Sequence, residues 1–562
     1  MRSVLLIILF SSYLLSASLP LYLKGNEKIS SRVLYDTLGL RLPYAIEVWG
    51  DKPVFESTAT SQSVIALSSY YRAQGYFETK ISAEENNTSI TLIIQENEPI
   101  TVADIKINSI LDVDSAVMLK LNDLFNQENF AESKQKIKKR YGDRGYCNAG
   151  FNSKAWVDTQ THKAYLLFEA TPNEPCTFGA VNVTSTPNID EKLTASMLRF
   201  QEGDPYNISS IQQSYEALYS QEAIARVTIN DNDRNGSIVP VTVDIEETEK
   251  PIRFTAGLGY SSDQGVGALM GIKHRNFLGD LKTLSLDTRF SELKEEASGT
   301  LSIPLHNRAS IHGEVGYVDQ LFDGYRSKSI FEKLTLKYQD IPSSALMGLL
   351  FNEETTYGST NTVDFPNNHL FILSPLGEIN IDTRDNLLDP KKGYWVNAKV
   401  QGSLLGAYSD ATYFKTLLSG AYLESIGDHV IGARLKWGTL RTYDGQTPPS
   451  YRFYAGGMNS NRAYTYRDLG PKDTYGNPLG FNSLLEGSVE YRFPVYDAFR
   501  GVLFSDFTFG SNTYIPDYSQ PYWATGLGIR YVTPIGPIAL DVGVDPGDPA
   551  QYAVHFRIGE LF

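Results

Sequence analysis

From about Phe254 to Phe562 the chain is a succession of short runs in which every second residue is apolar or aromatic and the residues between are polar, charged or Gly. Val489, Tyr491, Phe493 and Val495 alternate with Ser488, Glu490 and Arg492, and Tyr552, Val554, Phe556 and Ile558 alternate with Ala553, His555, Arg557 and Gly559. A strand sends successive side chains to opposite faces, so these runs predict a large sheet with one greasy face and one wet face. In a water-soluble sandwich the greasy faces of two sheets would cover each other; in an outer-membrane barrel lipid covers them and the wet faces line a lumen. The barrel fits better. A membrane strand takes roughly 9 to 11 residues plus a turn, so the segment behind Pro251 has room for about sixteen antiparallel strands.

The first half carries a period instead. A β-like stretch ending in an acidic turn and Pro recurs at Leu92 to Pro99, Leu166 to Pro175 and Val243 to Pro251, with the prolines 76 residues apart each time. Even spacing of a whole pattern signals tandem modules. Within the first two modules a helix-like run ends in the same turn, Tyr70 to Phe77 and Lys139 to Tyr146, where Gly75 and Gly145 close a helix before an alternating stretch begins. The third keeps the helix, Ile208 to Tyr219, and a strand, Ala225 to Ile229, without the Gly-Tyr pair. Each unit reads as strand, two helices, two strands. This α+β pattern resembles the POTRA domain, a periplasmic module usually found in front of outer-membrane barrels.

Composition adds three constraints. Arg2, the apolar run Val4 to Phe10 and Tyr13 to Leu15, and the small residues Ser16 to Ser18 predict a secretory signal, and no later stretch is long and apolar enough for a spanning helix. The expected organisation is therefore a signal peptide at 1–18, modules at 19–98, 99–174 and 175–251, and a transmembrane β-barrel at 252–562. A net charge of -15 argues against nucleic acid as a partner, and 35 Tyr, 27 Phe and 5 Trp suit the aromatic girdles of a barrel. The two cysteines, Cys147 and Cys176, are either a disulfide across an antiparallel hairpin turning near Gln160 or two separate buried thiols. Motifs for a nucleophile elbow, an HExxH zinc site or a paired-Cys zinc site do not occur, so neither enzymatic activity nor a cofactor is expected.

The most specific stretch runs from Arg452 to Tyr464 and contains Gly456, Gly457, Arg462, Ala463 and Tyr464. Two strand-like segments follow, Gly487 to Pro494 with Glu490 and Phe504 to Thr508 with Asp506. Together with Asp382 to Asn386, Asp389 to Trp395, Ile535 to Asp541 and the C-terminal aromatic Phe562, these segments resemble the BamA/TamA superfamily of outer-membrane assembly proteins across nearly the whole mature chain. In that family the loop folds back into the lumen and its Arg meets acidic residues on the inner wall, which implies that Arg462 pairs with Asp506, Glu490 or both. This chain has Ala463 where the family has Gly and Asn461 where it has an aliphatic residue. Three modules rather than five point to the TamA branch.

The resemblance implies an insertase or translocase that assembles β-barrel clients such as autotransporters from the Gram-negative periplasm, with a TamB-like inner-membrane-anchored protein as partner and the lipid bilayer as solvent. Closing the sheet requires the first strand, near Phe254, Gly257 and Gly259, to pair with the last, ending at Gly559 and Phe562. The glycines weaken that pairing, so the seam is expected to open sideways. Alternative readings are a pore exporting one dedicated protein, as in two-partner secretion, and a general BamA-like assembly factor.

Overall fold

The structure, a computed structural model, describes residues 18–40, 42, 54–56, 59–306, 308–403, 408–496, 498–533 and 536–558. The expected signal segment before Ser18, and Gly559 and Phe562 at the seam, lie outside the described residues.

The first module comprises β1 (Ser18–Lys24), α1 (Ser31–Thr37), β2 (Val54–Glu56), α2 (Thr60–Ala73), β3 (Lys80–Asn86) and β4 (Ser89–Gln95). Its sheet runs β2-β1-β4-β3, with β1 and β4 parallel. The second comprises β5 (Thr101–Asn108), α3 (Gln127–Asp143), β6 (Gly150–Asp158) and β7 (Lys163–Thr171), again with its first and last strands parallel. The third comprises β8 (Thr177–Ser185), α4 (Glu191–Ala195), α5 (Ile208–Tyr219), β9 (Ile224–Asn230) and β10 (Ile238–Glu247), in the sheet order β8-β10-β9. The first helix expected in every module is a two-turn helix in the first, a 3-10 turn at Asp114–Ala116 in the second and a five-residue helix in the third. Segments this short cannot offset helix nucleation by themselves, so packing alone sets their length.

The repeated Tyr-x-x-x-Gly-Tyr stretches explain how the long helices stop. Gly75 and Gly145 adopt φ near +90°, which a residue with a Cβ rarely tolerates. The amide of Tyr76 donates to the carbonyl of Tyr71 at 2.9 Å and that of Gly75 to Arg72 at 3.1 Å; Tyr146 repeats the first bond to Tyr141 at 3.0 Å and Gly145 the second to Gly142 at 3.1 Å. This is a Schellman ending, with its apolar contact supplied by the ring pairs Tyr71–Tyr76 and Tyr141–Tyr146. Tyr71 and Tyr141 are fully buried and anchor the first two cores, packed against Leu67, Ile90 and Leu92 in one and Ile137, Leu166 and Phe168 in the other.

Glu96 locks the first module. Its carboxylate accepts hydrogen bonds from the amides of Glu27, Lys28 and Ile29 at 3.1, 2.9 and 3.3 Å and from the Tyr71 hydroxyl at 2.8 Å. Burial, and next the hydrogen bond to that carboxylate, push the Tyr71 hydroxyl far above its ordinary range. Replacing Glu96 with Ala strands three amides and a hydroxyl, and should cost about 2 to 4 kcal/mol of module stability. Limited proteolysis of the full chain would then cut the first module well before the second; equal cutting rates would contradict this.

Cys147 and Cys176 flank the β6–β7 hairpin and form a disulfide, with Cα atoms 5.9 Å apart. It joins the start of β6 to the entry of the third module.

Behind the modules, sixteen antiparallel strands close into a barrel, from β11 (Ile252–Ser261) to β26 (Asp548–Ile558). Their outward residues are apolar and exposed to the surroundings, as at Leu334, Leu435, Val489, Leu503 and Leu527. The strand lengths are uneven. β11 and β12 (Gly265–His274) have 10 residues each and β13 (Thr283–Phe290) has 8, as do the 10 and 11 of β25 (Gly536–Asp545) and β26 on the other side of the closure. Across the barrel, β16 (Tyr325–Asp340), β20 (Ala411–Ile426) and β21 (His429–Gly445) reach 16, 16 and 17 residues.

Candidate functional site

Much of the connection between β21 and β22 (Ser483–Tyr496) folds into the lumen, with Phe453, Ala455, Met458, Arg462 and Leu469 buried. Gly456 and Gly457 turn the chain at φ +101° and +104°. A Cβ on Gly457 would stand 2.7 Å from an Asp263 carboxylate oxygen, so only Gly lets the loop pass this close to the turn behind β11. Ala463, where the resembled motif has Gly, is not at positive φ; it is fully buried, and its amide donates to the Asn461 side chain at 3.2 Å. The tip of the loop therefore does not demand a glycine at this position.

The loop delivers Arg462 to a cluster of carboxylates on the inner wall. On β22, Ser488 and Glu490 alternate inward; on β23 (Phe499–Ser511), Phe504 and Asp506 do; on β25, Asp541 does. Asp506 takes the guanidinium in a two-pronged grip, Nε at 2.9 Å and Nη2 at 2.8 Å, and also accepts from the Arg462 amide at 3.0 Å. Nη1 reaches Glu490 at 2.9 Å and Asp541 at 3.4 Å. Nη2 donates to Ser488, whose hydroxyl in turn donates to Asp506 at 2.6 Å. The guanidinium carbon of Arg462 lies 3.4 Å from the centroid of the Phe504 ring. Arg462 is 2% exposed, and a guanidinium buried to that degree is stable only because every face is matched, by carboxylates at the edge and by a π-face below.

Asp541 was not anticipated, although Leu540 and Val542 both face outward and the alternation places Asp541 between them on the wet side. Also unanticipated is the grip of the loop on the closing strands. The carbonyl of Arg462 lies 3.2 Å from His555 Nε2, whose Nδ1 is 3.1 Å from Asp263. Asp263 also accepts from the Met458 amide at 2.8 Å, Gln551 donates to the Ala463 carbonyl at 2.9 Å, and the Tyr464 hydroxyl donates to Asp545 at 2.9 Å. Gly543 permits the approach, since a Cβ there would meet the Arg462 carbonyl at 2.2 Å.

At the closure itself, β11 and β26 share two backbone pairs among the described residues, Tyr260 with Ile558 and Ser261 with Arg557, where the other neighbours share seven or more. The amide of Ser262 extends this by donating to the Phe556 carbonyl at 2.9 Å. Below these pairs, Phe254 and Leu258 on β11 are among the most exposed apolar side chains, at 76% and 84%, and Gly257 and Gly259 stand on either side of Leu258.

Residues 276–562 match the Omp85 superfamily domain, and residues 21–97, 101–173 and 176–248 match the POTRA family, described as a surface antigen variable number repeat. The chain is 22% identical, over 96% of its length, to the outer membrane protein assembly factor BamA of Nitratidesulfovibrio vulgaris, and spans 72% of that protein. It is 23% identical, over 84% of its length, to BamA of Neisseria meningitidis serogroup B, and spans 65% of it. Its fold is similar to the crystal structure of BamA from Haemophilus ducreyi lacking POTRA domains 1-3, with a TM-score of 0.57 and 19% identity over 82% of this chain and all of that one. With three POTRA units followed by a sixteen-stranded barrel that carries its arginine loop in the lumen, the chain belongs to the Omp85 superfamily.

Proposed function

We infer that this protein assembles β-rich polypeptides into the membrane through the seam between β11 and β26. The protein resides in the outer membrane of a Gram-negative bacterium with its POTRA domains in the periplasm. The observation that carries the inference is the closure, with two pairs among the described residues, beside a lumenal loop that holds both of its sides. An edge with so few ladder bonds costs little to open, and an opened edge presents unpaired amides and carbonyls on which an incoming strand can be added by β-augmentation. The modules fit capture of clients and of a periplasm-spanning partner. Three of them, with the loop motif, favour a TamA-like role with a TamB-like partner and autotransporter clients.

The test is reconstitution of the full chain in liposomes, with a urea-unfolded β-barrel protein added from outside. Faster appearance of the folded, heat-modifiable client than in empty liposomes supports the reading. A client rate no different from empty liposomes, combined with a large steady conductance, would replace it with an export pore.

A further inference from the structure

The barrel wall has a notch on its lipid side. β11 runs away from the periplasmic modules, and β19 (Gly393–Gly402), eight antiparallel strands on, runs the same way, so it ends toward the cell exterior. It ends early. Its neighbours β18 (Asn368–Asp382) and β20 reach past it: β18 pairs with β19 only from Leu376 onward, and β20 only from Phe414. Beyond Gly402 the wall therefore opens between β18 and β20. An edge in lipid needs its backbone groups met. The Phe371 amide donates to the Asp410 carboxylate at 2.7 Å and the Leu373 amide to the Ser409 hydroxyl at 2.9 Å, while the Asp410 amide donates to the Phe371 carbonyl at 2.9 Å. Amides alternate in direction along a strand, so the next to face the opening would belong to residue 375, which is proline and has none.

The notch holds about 800 Å³ and its lining is apolar: Pro375 and Gly377 of β18, Val400 and Gly402 of β19, Phe414 of β20 and Tyr443 of β21. Val400, Phe414 and Tyr443 are exposed on the outward face. On the lumen side, Gln401 donates to the Tyr413 hydroxyl at 2.6 Å, and that hydroxyl lies 2.8 Å from the Ser374 hydroxyl, a polar row between notch and lumen. At the margin stands a cation. Arg441 is directly opposite Phe414 in the ladder, and its guanidinium carbon lies 4.8 Å from the Tyr443 ring centroid and 4.7 Å from that of Tyr514. Ring faces hold a guanidinium without consuming its N–H donors. Arg441 has no ion pair among the described residues: Asp410 is engaged with Phe371, and Asp444 lies beyond the bulge at Thr412 and Tyr413.

A volume of this size suits an apolar chain, and a guanidinium with donors to spare at its mouth suits a phosphate, to which it forks with two parallel bonds. A water-soluble anion gains nothing from the apolar lining, and an uncharged lipid gains nothing from Arg441. We propose that the notch takes one acyl chain of a phosphorylated glycolipid of the outer leaflet, with Arg441 on the lipid's phosphate. A lipid held there seals the wall where its ladder is interrupted. The site lies eight strands from the closure, so it stands apart from the assembly reading.

The experiment is native mass spectrometry of the full chain in detergent, each variant first shown to fold by heat-modifiable migration. The probes are bisphosphorylated lipid A, lipid A stripped of its phosphates, and phosphatidylglycerol. One copy of the phosphorylated glycolipid should be retained at about tenfold lower concentration than the stripped one, the strength of one charge-assisted bond. Arg441→Gln should erase that difference and Arg441→Lys should keep part of it. Val400→Trp, which fills the notch from its lipid face, should weaken retention of both. Equal retention of the phosphorylated and stripped lipids by the unaltered chain overturns the proposal without any variant. A preference that survives Arg441→Gln, or retention unchanged by Val400→Trp, overturns the placement, and phosphatidylglycerol held as tightly as lipid A overturns the glycolipid as ligand. Retention seen only after residues 404–407 are replaced by Gly would make that segment the occupant and overturns the proposal as well.

Discussion

Arg462→Ala should abolish client assembly and release the loop from the inner wall, because the change removes the one cation that Asp506, Glu490 and Asp541 share. Breaking a buried ion pair from one side costs about 3 to 5 kcal/mol, since the partner charges stay behind unmatched. Arg530 and Arg492 still neutralise Asp541 and Glu490, so most of the penalty falls on Asp506, which would keep only the Ser488 hydroxyl and the Arg462 amide. The barrel itself, with its ladder untouched, should remain folded. Protease cleavage near residues 459–463 in the intact barrel, together with the client-folding rate in liposomes, reads both effects. Arg462→Lys should restore little, because an ammonium cannot take Asp506 with two prongs while staying over Phe504. A variant that assembles clients normally with its loop still protected would show that the cluster is not part of the mechanism.

The second large effect concerns the closure. Tyr260 and Ile558 are directly opposed and both face outward, so Cys at the two positions places sulfurs within bonding reach without disturbing the lumen. Oxidised Tyr260→Cys, Ile558→Cys protein should insert fully into liposomes yet fold clients no faster than empty vesicles, and reductant should restore the rate. Reductant also opens the Cys147–Cys176 bond, so the unaltered chain treated alike is the reference. Undiminished assembly by the locked barrel would rule out a lateral route and leave the lumen as the path.

What could be read from the chain follows how locally each feature is determined. The barrel was legible because lipid on one side and water on the other constrain every residue of every strand, and the sixteen strands follow from length and alternation together. Arg462, Asp506 and Glu490, which the structure brings together, could be named only through the family resemblance that their segments carry. His555 and Asp263 could not: they meet across 292 residues of sequence, through a closure whose register depends on fifteen other strand pairings. The extent of the expected first helices could not be read for a related reason, since packing fixes it rather than any periodicity of their own.

The uneven strand lengths act on the solvent. At roughly 3.3 Å per residue and a tilt near 40°, a 10-residue strand covers about 25 Å of bilayer thickness, whereas one of 16 residues covers about 40 Å. The wall beside β11 and β26 is thus lower than the wall at β16, β20 and β21. If clients enter at this closure, less apolar strand faces the lipid there than on the opposite wall, and the membrane would share the work of insertion.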